Sequence, residues 1–169
     1  MILIVITIII SFLLEGLVSH FFPFMLNNIG AFYPMFTLIS LVLIYPYFNK
    51  DNTKFSRVGI LAGLFYDMVY TNMFPFNIVS FFIMTLLIRL LNLYLSNNYI
   101  NALIMCLTVL IGYEFSNFIV LNIIGYTTIS FNSFFYKLYN SILINLLYVI
   151  IGYYLLTRIS KKYNIRRID

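Results

Sequence analysis

The sequence predicts an all-α integral membrane protein, a compact bundle of six transmembrane helices with both termini on the cytoplasmic side. Three observations lead there. Hydrophobic residues make up 63% of the 169 residues, and Asp, Glu, Lys and Arg only 9%, whereas a soluble domain carries about 25% charged residues to face water. Apolar runs of about 20 residues, the length that crosses a bilayer as a helix, recur along the chain. Basic residues gather on one side of those runs. The net charge of +5 therefore sits at membrane edges, where it sets topology and attracts anionic lipid rather than nucleic acid.

The spans are expected at about 2–24, 31–48, 56–72, 75–95, 100–121 and 134–157, forming one domain over the whole chain. The first run, MILIVITIIISFLLEGLVS, has neither a basic leader nor a small-residue cleavage site, so it is read as a retained helix. Pro23 closes that span, Pro34 falls in the first turn of the second, and Pro46 ends it. The third span is the shortest. Only Thr71-Asn72-Met73-Phe74-Pro75 separates it from the fourth, and Pro75 suits the first turn of the returning helix. The loop 122–133, NIIGYTTISFNS, is too small to hold a catalytic domain. Lys50, Lys54 and Arg57 lie in the second loop, and Arg158, Lys161, Lys162, Arg166 and Arg167 in the tail 158–169. The segments near 25–30, 73–74 and 122–133 contain no Lys or Arg. The positive-inside rule then places both termini in the cytoplasm, with the tail as a basic anchor for lipid headgroups.

The third span carries the most informative pattern. Gly59, Gly63 and Asp67 recur every four residues, with Ala62, Tyr66 and Tyr70 on or beside the same stripe. Small residues in such a row allow a close helix contact, either inside the bundle or with a partner's single helix. Four ionisable residues, Glu15, Asp67, Arg89 and Glu114, lie well inside the spans, where each needs a polar partner or a function. Helical rise puts Asp67 about 15 Å beyond Arg57, near the midplane, and Glu15 and Glu114 about 20 Å from the cytoplasmic starts of their helices. Arg89 differs from Asp67 by about 13 Å in depth, so it is expected to snorkel toward cytoplasmic headgroups. Lys137 is better placed for Glu114 or Glu15, with His20 one turn above Glu15. Glu15, Glu114 and Asn117 are also able to line a small outer pocket. These acids either specify packing through Tyr and Asn partners, serve partner binding or a conformational change, or move protons or ions.

Catalysis is not expected. His20 is the only His and lies at a helix end, and no second Asp stands in a span for an aspartyl protease. Cys106 lies alone in an apolar run, which excludes disulfides and Cys-based metal sites. There is no phosphate loop and no acidic or Cys/His cluster for a metal. No cofactor is expected.

The Pro-led second helix, Tyr33-Pro34-Met35-Phe36-Thr37-Leu38, and the third-helix pattern Gly59-x-x-x-Gly63-Leu64-x-Tyr66-Asp67 resemble the bacterial rod-shape-determining protein MreD family, as do length and span order. The resemblance implies a multi-pass protein of the cytoplasmic membrane, a non-enzymatic scaffold of the cell-elongation machinery that helps position peptidoglycan synthesis. It implies an MreC-like single-span partner and, through it, the MreB filament and the RodA–transpeptidase synthase. The family is also similar to the substrate-binding subunits of energy-coupling-factor vitamin transporters, which makes such a subunit the alternative. Against it, the first helix has only Gly16 and scattered Ser where a coupling subunit needs a small-residue face. A channel or proton-linked carrier would show repeats and paired broken helices, and neither is evident.

Overall fold

The computed structural model describes residues 2–21, 33–48, 51–71, 74–124 and 131–165. These form six α-helices: α1 Ile2–Phe21, α2 Phe36–Ile44, α3 Asn52–Tyr66, α4 Phe76–Tyr94, α5 Tyr99–Ile124 and α6 Phe131–Lys162. No strand occurs among the described residues. Among the described residues four segments are long and apolar enough to cross a membrane: α1, α4, Tyr99–Val120 of α5 and Phe134–Lys162 of α6. Pro23, Lys50, Asn72, Met73, Arg166, Arg167 and most of the loop between α5 and α6 lie outside the described residues.

The short helix α2 occupies the centre. Every residue from Phe36 to Ile44 is buried, and α2 touches each of the other five helices. A helix that is hydrophobic all round has no face to give to water and ends up inside. Its last turn tightens into a 3₁₀ turn, Tyr45–Phe48, which carries Pro46. The outer helices α1 and α6 instead leave Ile6, Leu13, Leu147 and Ile151 exposed on the outside of the bundle.

The seam between α3 and α4 is the closest in the bundle. A Cβ at Gly63 would stand 2.5 Å from the Asn77 carbonyl oxygen and 2.8 Å from the Ile78 Cα. A Cβ at Gly59 would run into the Thr85 methyl group. α3 starts at Asn52, ahead of its apolar part, because Asp51 caps it: the Lys54 amide donates to Asp51 Oδ1 at 3.1 Å. Lys54 Nζ also pairs with Asp51 Oδ2 at 2.8 Å. The far end of α3 widens into a π-helical turn, Asp67–Thr71.

The alternating helices define two ends. The terminal end holds the start of α1, the α2–α3 connection, the α4–α5 turn and the end of α6. There Tyr45 and Phe48 pack edge-on to Phe55, with ring centroids 4.8 and 5.3 Å away. The distal end holds the remaining helix termini and most of the bundle's buried polar groups.

A polar cavity at the distal end

Two helix N-termini, those of α2 and α4, are buried at the distal end, where their free N–H groups need acceptors from the protein. Side chains from neighbouring helices supply them. The Asp67 carboxylate, 1% exposed, sits across the start of α4. The Asn77 amide donates to both Asp67 oxygens at 3.0 Å and the Ile78 amide to Oδ2 at 3.2 Å. Asn77 Nδ2 and Thr71 Oγ1 add bonds to Oδ1 at 2.8 and 3.1 Å. A carboxylate at a helix N-terminus is held by aligned N–H groups and by the helix dipole. The π-helical turn supports this arrangement locally, since it carries both Asp67 and the Thr71 that bonds it.

Glu15 does the same for α2. Its Oε2 accepts from the Thr37 amide at 2.8 Å and from Thr37 Oγ1 at 2.7 Å, while Oε1 accepts from Tyr66 Oη at 2.7 Å. Asn145 of α6 completes that terminus. Its Oδ1 accepts from the Met35 amide at 2.9 Å, and its Nδ2 donates to the Tyr33 carbonyl at 3.0 Å. The network continues through Tyr113, whose hydroxyl donates to Asn77 Oδ1 at 2.6 Å. The third acid, Glu114, pairs with Lys137, Nζ to Oε2 at 3.1 Å.

These side chains converge. Glu15, Tyr33, Tyr66, Asn77, Tyr113, Asn117 and Lys137 all line one cavity of about 470 Å³. Lys137 Nζ also stands 5.5 Å from the Tyr33 ring centre. Two buried acceptors at this end, Glu114 Oε1 and Asn117 Oδ1, have no hydrogen-bond partner among the described residues. His20 is not among the lining residues.

The stripe on α3 divides between two neighbours. Gly59, Gly63 and Asp67 meet α4, and Ala62 is buried. Tyr66 and Tyr70 turn to α1, where Tyr70 Oη donates to the Phe12 carbonyl at 2.6 Å and lies against Gly16. A partner's helix cannot enter the glycine row, because α4 already fills it. Periodicity reports which residues share a face and leaves the neighbour open, which is why intramolecular packing and external docking read alike in the sequence. Arg89 is half-buried and makes no ion pair among the described residues, and its Nε has no partner there. At the terminal end Arg158, Lys161 and Lys162 are exposed, with Arg158 4.8 Å from the Tyr154 ring centre.

The sequence alone assigns Thr37, Asn77, Tyr113 and Asn145 no role as partners of the acids or of the helix termini. Asn77 carried a signal, two residues past the Pro75 that opens α4; the others look like ordinary polar residues of apolar helices. Among the described residues no group of three or more His, Cys, Asp or Glu could hold a metal ion. The family model described as rod shape-determining protein MreD matches residues 1–158 of the chain. Comparison with curated proteins and with solved structures returned no match.

Proposed function

The chain belongs to the MreD family of rod shape-determining proteins, and from that premise we propose that it is a non-enzymatic scaffold of the cell-elongation machinery in the bacterial cytoplasmic membrane. The observation that carries this reading is the use made of the acids. Asp67 and Glu15 are each taken up by a helix N-terminus and Glu114 by Lys137. Side chains so engaged set helix geometry, which is what a scaffold needs.

The chain sits with both termini in the cytoplasm, supported by Lys54, Arg57, Arg158, Lys161 and Lys162 at the terminal end. The same residues hold anionic lipid. An MreC-like single-span protein docks on the lipid-facing surface and connects the bundle to the MreB filament and to the RodA–transpeptidase synthase. Its site is the groove of about 410 Å³ along α6, lined by Asn140, Leu143, Leu147 and Ile150. Asn140 Nδ2 is buried beside these apolar residues with no partner among the described residues, and a second helix would supply an acceptor.

Cys106 is fully buried, so cysteines introduced on the surface can be cross-linked against a quiet background. Cysteines at Leu143 and Leu147 are expected to cross-link to an MreC-like helix, and cysteines at Leu61 and Phe65 of α3 are not. Cross-linking confined to α3 would move the docking site there and remove this assignment.

The alternative, a vitamin-binding subunit of an energy-coupling-factor transporter, is favoured by the distal cavity. The outward face of α1 speaks against it. That face presents Val5, Ile9, Leu13 and Leu17, while Gly16 is covered by Tyr70. Co-purification with a transporter ATPase rather than an MreC-like protein would reverse the preference.

A further inference from the structure

We infer that the distal cavity is a binding site for a polyhydroxylated group, a free sugar or the headgroup of a lipid, read by Asn117 and Lys137. The inference does not depend on where a partner helix docks. At about 470 Å³ the cavity falls in the range of small-ligand pockets, roughly 300–1,000 Å³. Asn117 lines it, is 8% exposed, and has an Oδ1 without a partner among the described residues. Buried acceptors left unpaired carry a desolvation penalty that a donor removes. Lys137 lines the cavity too, with its side chain 38% exposed. Its ammonium has three N–H donors, of which Glu114 Oε2 takes one.

A group that fits must therefore both donate, to Asn117, and accept, from Lys137. A phosphate or carboxylate only accepts, and it would face Glu15. An ammonium only donates, and it would meet Lys137. A hydroxyl does both. Tyr33, Tyr66 and Tyr113 add aromatic surface for the C–H face of a sugar ring or glycerol.

The test uses full-length protein in an amine-oxide detergent, which has no sugar headgroup, with thermal unfolding followed by tyrosine fluorescence (the chain has 15 Tyr and no Trp). Methyl glucoside probes the free sugar, and short-chain phosphatidylglycerol, compared with phosphatidylcholine, probes the headgroup. A Tm rise of about 3 °C is expected at ten times Kd for one of the two probes, and which one responds identifies the source. Asn117→Leu removes the orphan acceptor together with the Asn117 bonds to Tyr113 and Glu114, so its unliganded Tm is read first, and it is expected to lose the response. Lys137→Gln serves as the second variant and is expected to weaken the response at least fivefold in apparent Kd. Tyr139→Leu, on the outer face of α6, is expected to retain it. Water alone in the cavity would give no response to either probe, and that result overturns the inference. So does a response that survives in both Asn117→Leu and Lys137→Gln.

Discussion

At the terminal end of the bundle the chain is held by aromatic packing and by a capped, solvated helix start. Tyr45, Phe48 and Phe55 interlock, and Asp51 faces water with Lys54. At the distal end the same six helices are held by buried carboxylates and amides that reach from one helix to the terminus of another. The difference teaches where sequence tolerance lies. Aromatic packing accepts substitutes of similar volume at modest cost, whereas a buried helix terminus that loses its acceptor leaves several N–H groups unpaired at once. A long-range bond also fixes which helices are neighbours, and surface pairs such as Lys54–Asp51 do not.

The largest loss should follow removal of the Asp67 carboxylate. Asp67→Ala leaves the Asn77 and Ile78 amides and the Asn77 side chain short of acceptors, and it is expected to cost about 3 kcal/mol or more. Thermal unfolding in detergent reads this, and an unchanged midpoint would dissolve the contrast between the two ends. Next comes the α3–α4 seam. Gly63→Ala presses a methyl group on the α4 backbone, where nothing can turn aside, so about 2 kcal/mol is expected. Gly59→Ala meets only the Thr85 methyl and should cost less. The reverse order would mean that the seam closes at the terminal end.

Glu15→Gln keeps an oxygen for the Thr37 amide and gives up the charge, for an expected loss of about 1–2 kcal/mol. If it matches Asp67→Ala, then charge rather than geometry holds the distal end. The smallest effect belongs to the terminal end. Asp51→Asn preserves the cap and loses the ion pair with Lys54, so the midpoint at neutral pH should barely move. Hydrogen bonds from the Lys54 side chain and amide hold the Asp51 carboxyl below its usual range. The support it gives is therefore present above the ordinary carboxylate range and fades as pH falls through the depressed folded value. In an acid titration the wild type and Asp51→Asn should therefore differ slightly at neutral pH and converge as the pH falls through that value. A large divergence would show that the terminal end relies on charge as the distal end does.

The helical class was legible because apolar runs leave few other solutions in a membrane. Helical rise alone set Arg89 apart from Asp67 and put Lys137 within reach of Glu114 or Glu15, because depth is arithmetic on residue number; the pair that forms is Lys137–Glu114. The partners of Asp67 were not legible. They are backbone N–H groups at the start of α4, and a free helix end leaves no mark in side-chain chemistry until the fold says which ends are dry. For the same reason the glycine row read equally well as an outer docking face. Asn145 was hidden differently: a single Asn in an apolar helix carries no address, and its target lies 110 residues earlier in the chain.

That last bond bears on how the chain is made. α2 emerges four helices ahead of α6, yet the Met35 amide at its start waits for Asn145 of α6. The central helix is thus finished only once α6 has been made. A nascent chain stopped after α5 would keep Glu15 on Thr37 but lack the second cap, and the membrane quality-control proteases would meet it with its innermost terminus unsealed.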